Sequence, residues 1–284
     1  MFNINCKGKL IILDRPFIMG ILNLTLDSFY DGGRYLTLQS QLDKVNNMIE
    51  EGVDIIDIGA SSSRPGAILL PPDNEWTVIE PLLNEIKFQF PDLLISIDTV
   101  YSSVAEYSLQ KGAHIINDIS GGMMDKKIFE VCAYNQAPLI LMHMPTTPDT
   151  MQSYTNYHNV TTDVYAFFSQ QLSLCMQLGV HDVFIDVGFG FGKTLEQNYQ
   201  LIRDLEYFHQ LNRPILVGVS RKSMIQKVVS QDADNSLIGT CVLQYELLAK
   251  GAHIFRVHDV RAMKDTISIW QQVRNTAFDD NTIM

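Results

Sequence analysis

Several features that would point to other classes of protein are missing from this sequence of 284 residues. No apolar run reaches the roughly 18 residues of a membrane span, so no membrane association is expected. The four cysteines are scattered and form no CxxC pair, which indicates reduced thiols and neither a disulfide framework nor a zinc site. The net charge of −11 argues against a nucleic-acid partner, because phosphate contacts require a basic surface. The N-terminus lacks the layout of a signal peptide, so a cytoplasmic protein is expected.

The sequence does contain a repeated pattern of a short apolar run, a polar or glycine-rich turn, and a longer segment of helical period. The short runs cover residues 17–24, 54–60, 93–99, 113–119, 138–144, 182–188, 214–220 and 253–260. Helical spacing of apolar residues covers 39–51, 75–90, 100–111, 160–178, 195–211 and 236–250. Eight alternating units predict parallel strands with right-handed crossovers, closed into a single-domain (β/α)8 TIM barrel over residues 1–284. Residues 10–13 are expected to form a short hairpin or lid over the barrel bottom.

Polar residues recur where the predicted strands end, at the edge of a barrel where the active site belongs. The main ones are Asn23, Asp57, Asp98, Asn117, Asp118, His143, Asp186, Ser220, Lys222, Arg256, His258 and Asp259. One such residue alone is as well explained by a structural role or a helix cap. Buried Asp and Asn on adjacent strands are costly unless partnered, so a shared ligand explains the recurrence better. Asp118 and Asp259 project away from their neighbours and are expected to be structural.

The residue types divide this polar ring into two halves. A carboxylate-rich half suits the amino and ring N–H groups of an aminopyrimidinone, and it consists of Asp98, Asn117 and Asp186. A half with donors and positive charge suits a phosphate or pyrophosphate, and it consists of Asn23, Ser63, Arg64, Arg256 and His258. Lys222 could reach either half.

Two further features concern the walls of the pocket. Residues 188–194 (GFGFGKT) are similar to a P-loop, but Val187 stands where the first glycine of that motif belongs. The segment is interpreted instead as a flexible loop after the sixth strand, whose Phe191 covers a ligand. Met142 lies at a strand end and is expected to form a wall of the ring pocket.

Motifs at all of these strand ends resemble those of the dihydropteroate synthases, in family order. They include IMGILNLTLDSFYDGG (18–33), DIGASSSRPGA (57–67), ISIDT (95–99), IINDISGG (115–122), DVGFGFGKTLEQN (186–198), VGVSRKS (217–223) and GAHIFRVHDV (251–260). The resemblance implies a transferase of folate biosynthesis. Such an enzyme condenses 6-hydroxymethyl-7,8-dihydropterin pyrophosphate with p-aminobenzoate to give 7,8-dihydropteroate and pyrophosphate, and it is a sulfonamide target.

The resemblance also implies roles for individual residues. Pterin would be held by Asp98, Asn117, Asp186 and Lys222, and pyrophosphate by Asn23, Ser63, Arg256 and His258. Mg²⁺ would bridge the pyrophosphate and Asn23. The p-aminobenzoate pocket would consist of Phe29, Asp31, Arg64, Pro65, Phe191, Lys222 and Ser223.

The mechanism expected from these roles begins with loss of pyrophosphate, which leaves a methylene cation that the neutral arylamine attacks. Arg256, His258 and the metal stabilise the leaving group, and Asp31 stabilises the cationic centre. The family also implies a homodimer, through late helices in which residues 241–248 are strongly apolar. Leu26, Val187 and the segment Ser61 to Ser63 depart from the usual family residues, but none removes a predicted chemical group.

Three alternatives stay open. A pterin-binding methyltransferase domain shares the barrel and the pterin pocket, but it is expected to lack the SRPG loop and the SRK and RVHD cluster. A non-catalytic pterin-binding paralogue is expected to have lost Lys222, Arg256 or Asn23, and all three are present. A barrel aldolase needs a Schiff-base lysine inside a strand, whereas Lys222 lies just past the seventh predicted strand.

Overall fold

The computed structural model describes residues 1–24, 37–61 and 69–275. Two short strands come first, β1 (Phe2–Cys6) and β2 (Lys9–Leu13). Eight more follow along the chain: β3 (Phe17–Asn23), β4 (Ile55–Gly59), β5 (Leu94–Asp98), β6 (Ile115–Asp118), β7 (Leu139–Met142), β8 (Val183–Asp186), β9 (Ile215–Val217) and β10 (Ile254–Val257). Strands β3 to β10 pair in parallel, each with the next, and β10 closes on β3. The predicted barrel is confirmed, with strands one to four residues shorter than the apolar runs.

Helices surround the barrel. They are α1 (Leu38–Glu50), α2 (Pro72–Gln89), α3 (Ser102–Gln110), α4 (Lys127–Asn135), α5 (Val160–Leu178), α6 (Leu195–Arg203), α7 (Ser223–Val229), α8 (Leu237–Ala249) and α9 (Val260–Asn275). The predicted helix over 195–211 is wrong in its second half, because Leu205–Leu211 is a 3₁₀ helix. Helices α4, α7 and α9 were not among the predicted segments; α4 and α7 are short, with nine and seven residues, whereas α9 has 16.

The barrel strands read as continuous apolar runs because helices or the barrel interior cover both of their faces. Strand β4 shows this most clearly: all five of its residues are buried, and four are Ile55, Ile56, Ile58 and Gly59. The fifth is Asp57, whose carboxylate the strand carries into the barrel interior. A polar residue in such a strand therefore marks a position that packing alone does not explain.

The N-terminal hairpin closes one end of the barrel, as the sequence predicts. Strands β1 and β2 pair in antiparallel fashion. Their buried residues form one apolar cluster with residues at the starts or middles of the barrel strands, among them Phe17, Met19, Ile115 and Ile254. The hairpin thus covers the amino-terminal end, and the carboxyl ends of the strands form the open mouth.

Side-chain caps begin the helices that follow two strands of the mouth. Asn159 accepts hydrogen bonds from the backbone N–H groups of the first turn of α5, and Thr194 forms a capping box with Gln197 at α6. These caps define where the loops after β7 and β8 end. None of the helices among the described residues is long and apolar enough to cross a membrane.

Candidate active site

The structure brings most of the predicted site residues to one end of the barrel. Asp98, Asn117 and Asp186 each lie at or next to the last residue of a strand, and Arg256 lies on β10. The predictions for Phe29, Asp31, Ser63, Arg64 and Pro65 lie outside the described residues.

Asp98 and Asn117 are neighbours across the mouth because they are paired in register between β5 and β6. On its other side, Asp98 is paired with Gly59 of β4. A Cβ at Gly59 would lie 3.3 Å from the Cβ of Asp98, so the glycine leaves the space that the Asp98 side chain occupies. Burial raises the pKa of Asp98 to about 7, although the Arg256 guanidinium opposes the rise.

Arg256 lies among carboxylates, which changes the expected division of the ring. Its Nε donates to Asp57 Oδ2 at 2.6 Å, and its Nη2 donates to Asp98 Oδ2 at 2.8 Å. The prediction of separate carboxylate and cationic halves is therefore wrong for this residue. The physical reason is that two buried carboxylates at the mouth require a counter-charge, and the long Arg256 side chain reaches both.

Asp186 and Lys222 form the opposite side of the mouth. Asp186 Oδ1 accepts a hydrogen bond of 2.8 Å from the backbone N–H of Gly188, and burial raises the pKa of the carboxyl. Burial lowers the pKa of Lys222 to about 8. Its Nζ donates to the carbonyl oxygen of Phe189 and lies 4.6 Å from the centre of the Phe191 ring. The two groups are thus oriented by the same loop, residues 187–193.

That loop is cross-braced, so its interpretation as a flexible segment is wrong. The Lys193 ammonium donates to three carbonyl oxygens, those of Gly188 and Phe191 at 2.9 Å and that of His143 at 3.3 Å. Lys193 is buried, and burial lowers its pKa. A lysine that donates all three of its N–H groups to backbone carbonyl oxygens holds the surrounding loop in one conformation.

Phe191 is buried and packs in an apolar cluster at the mouth. Met142, Met144 and Met151 belong to the same cluster, together with Val100 and Ile119. Met142 therefore lies where a wall of a ring pocket would be, and its contact with a pterin stays a prediction. Ser223 is exposed at the start of α7 and lines a cavity of about 230 Å³ together with Gly190.

His258 and Asn23 lie at the rim. The backbone N–H of His258 donates to Ser220 Oγ at 3.2 Å, and its ring Nδ1 lies 3.1 Å from the same oxygen. Removal of water from the ring and the nearby Arg256 charge lower the pKa of His258 to about 4. Asn23 is the last residue of β3 and is exposed. No group of three or more His, Cys, Asp or Glu side chains suited to a metal occurs within residues 1–24, 37–61 and 69–275.

Two polar residues at strand ends are structural, as predicted. Asp118 accepts hydrogen bonds from the backbone N–H groups of Ser120 and Gly122, and so holds the turn after β6. Asp259 forms two hydrogen bonds with the Arg221 guanidinium.

Sequence reasoning placed Asp57 in the polar ring but assigned no specific role to it or to Lys193, although both hold other groups of the site in place. Asp57 was recognisable as an acidic residue inside an apolar strand. Lys193 was considered only as part of a P-loop, and no local pattern indicates that its donors turn back on the loop.

Comparison with known proteins agrees with this geometry. The model of the family described as pterin binding enzyme matches residues 19–258. The chain belongs to this family. It is 38% identical over 271 residues to the dihydropteroate synthase of Haemophilus influenzae, which covers 95% of this chain and 98% of the relative. The predicted transferase of folate biosynthesis is thereby confirmed.

Two solved structures of the family superpose closely. Yersinia pestis dihydropteroate synthase, in complex with a sulfonamide drug, has a TM-score of 0.90 at 35% identity over 97% of this chain and 100% of that one. Xanthomonas albilineans dihydropteroate synthase with 4-aminobenzoic acid has a TM-score of 0.89 at 32% identity over 97% and 99%.

Proposed function

We propose that this dihydropteroate synthase binds pterin pyrophosphate across the barrel mouth, with the ring between Asp98, Asn117, Asp186 and Lys222. The observation that carries the proposal is the convergence of these side chains with Arg256 at one end of the barrel. Buried carboxylates with raised pKa values are typical of ligand-binding sites, and each can accept a pair of hydrogen bonds from N–H groups of a ring. The 4-aminobenzoic acid in the Xanthomonas albilineans structure supports p-aminobenzoate as the second substrate.

Arg256 and His258 stabilise the leaving pyrophosphate in this proposal. Within the described residues, three of the five N–H donors of Arg256 are left after its bonds to Asp57 and Asp98, and in this proposal they donate to the pyrophosphate. His258 is neutral at neutral pH, because its pKa is about 4, and its one ring N–H donates to the phosphate. As pyrophosphate departs, the charge that develops on its oxygen is met by these fixed donors. The neutral arylamine then attacks the exposed methylene carbon.

Asn23 fits a magnesium ion as a single protein ligand. Its amide oxygen is a hard oxygen donor, and the side chain is exposed at the end of β3. Mg²⁺ is usually held by one or two protein oxygens together with substrate phosphates and water. When bound there with pyrophosphate, the ion would neutralise charge on the leaving group.

The proposal predicts that Asp186→Ala weakens binding of 6-hydroxymethylpterin by about 30-fold or more, since truncating a buried charged partner costs roughly 2 kcal/mol or more. Isothermal titration measures the affinity, and release of pyrophosphate from both substrates with Mg²⁺ measures turnover. Asp182→Ala is the matched control, because Asp182 precedes the same strand at the opposite end and accepts from the Asn5 backbone. Equal pterin affinity in both variants would refute the assignment of Asp186. Tight pterin binding by the native chain without turnover would favour the non-catalytic alternative.

We also propose that two copies of the chain associate through α8 and α9. These helices pack side by side, and each presents two large apolar residues four positions apart to solvent. Ile238 and Val242 on α8 are 80% and 62% exposed, and Ile269 and Val273 on α9 are 62% and 60% exposed. Such a paired stripe is typical of a surface that another subunit covers. Sedimentation should give a dimer mass for the native chain and a monomer mass for Ile238→Glu. A monomer in both cases would reject the interface.

A further inference from the structure

Asp57 lies below the layer in which substrate is proposed to bind. Strand register pairs Asp57 with Ser96, whereas Asp98, two residues further along β5, is paired with Gly59. The Asp57 side chain is fully buried. It therefore acts on a ligand only through the residues above it.

A single oxygen of Asp57 holds residues that have different proposed partners. Oδ2 accepts from Arg256 Nε at 2.6 Å and from Asn117 Nδ2 at 3.1 Å. Arg256 is assigned to the pyrophosphate, and Asn117 to the pterin. The other oxygen, Oδ1, is buried and has no hydrogen-bond partner among the residues that the structure describes. A buried carboxylate that is only half satisfied is stable only while a counter-charge stays beside it, and Arg256 supplies that charge.

Arg256 is at the same time bound to a residue that the pterin needs. Its Nη2 donates to Asp98 Oδ2 at 2.8 Å. A pterin that donates its own N–H groups to Asp98 competes with Nη2 for this carboxylate. Nε, in contrast, is bonded one layer deeper, where the ring does not reach. When the pterin binds, the Nη2 bond to Asp98 is therefore broken, whereas the Nε bond to Asp57 remains.

We propose that Asp57 is a positioning residue that couples the two parts of the substrate site. By holding Nε, it keeps Arg256 at the mouth when a pterin takes over Asp98, and the released Nη2 turns its N–H groups to the pyrophosphate. Pterin and pyrophosphate then bind cooperatively, and each tightens the other by the same factor. This inference rests on the proposed function.

The test measures that factor with two separate probes, 6-hydroxymethylpterin and inorganic pyrophosphate, at saturating Mg²⁺. Titration calorimetry gives the pterin affinity with and without pyrophosphate. In the native chain, saturating pyrophosphate should tighten pterin binding at least about fivefold, the lower end of ordinary coupling. In Asp57→Asn, which keeps the size of the side chain and removes its charge, the factor should fall to nearly one.

Asp54→Asn is the matched control. Asp54 directly precedes the same strand at the closed end of the barrel, where it pairs with Arg15 and accepts from the Ile18 backbone. This variant should lose stability but keep the coupling factor, which a merely structural effect does not change. Arg256→Lys supplies a second variant should Asp57→Asn not fold, because one ammonium cannot take the place of both Nε and Nη2. It should also abolish the coupling.

Two results would overturn the inference. Independent binding of the two probes to the native chain would do so while leaving the proposed function intact. Full coupling in Asp57→Asn or Arg256→Lys would show that it arises elsewhere. If the native chain bound neither probe, the proposed function itself would fail, and the inference with it.

Discussion

Replacement of Lys193 by methionine tests how the loop after β8 is held. Methionine is apolar and of similar length. The substitution therefore removes the ammonium but still fills most of the space that the Lys193 side chain occupies. The carbonyl oxygens of Gly188, Phe191 and His143 then lose a charged donor. Loop 187–193 carries Phe191 and also the Phe189 carbonyl that accepts from Lys222. Loss of the brace should therefore disturb the pocket as well as stability.

The magnitude follows from two opposing contributions. Each buried carbonyl that loses its partner costs about 1–3 kcal/mol, and the bond to His143, at 3.3 Å, is the weakest of the three. The substitution also removes the desolvation cost of a buried ammonium, which amounts to several kcal/mol. We expect a net loss of about 2–4 kcal/mol in the free energy of unfolding.

Urea denaturation measures this loss, and steady-state kinetics measures its effect on the site. Because Phe191 lines the proposed p-aminobenzoate pocket, KM for p-aminobenzoate should rise more than KM for the pterin pyrophosphate. Lys227→Met is the control: Lys227 lines the same 230 Å³ cavity but is exposed, so its loss should change stability by no more than about 0.5 kcal/mol. If the two variants unfold at the same urea concentration and have the same KM values, the brace does not exist.

Further outcomes are expected at the mouth. Pterin affinity should rise with pH up to about 7, as Asp98 ionises, and fall above about 8, as Lys222 loses its proton. Asp98→Asn should abolish the acid limb, and titration of 6-hydroxymethylpterin across pH would show whether it does. Gly188→Ala should cost more than about 4 kcal/mol in unfolding free energy, because its Cβ would overlap the His143 carbonyl oxygen and φ is +70°. Gly179→Ala, also at positive φ but with only an ordinary contact of 3.8 Å to the Cβ of Ala133, should cost only about 1–2 kcal/mol, and equal losses would contradict the steric argument.

The barrel was readable from the sequence because each of its units repeats the same local physics. Each βα unit can be predicted from its own residues alone. It consists of an apolar run, a polar turn and a segment of helical period. The polar ends of the strands were visible for the same reason, and they meet because parallel strands place their carboxyl ends together. The reasoning did not identify α4, α7 or α9, although α9 is 16 residues long.

The sequence by itself determined which chemical groups reach the mouth: the carboxyls of Asp98 and Asp186, the amide of Asn117, and the cations Lys222 and Arg256. Only the tertiary structure decided how they are paired. Arg256 binds Asp57, distant in the chain, because closure of the barrel places β10 next to β3, which in turn adjoins β4, and because a buried carboxylate requires a counter-charge. Lys193 turns back on its own loop, where the carbonyls that it binds have no other charged donor within residues 1–24, 37–61 and 69–275. Partner choice depends on burial and distance in space, and a linear pattern of residue types contains neither.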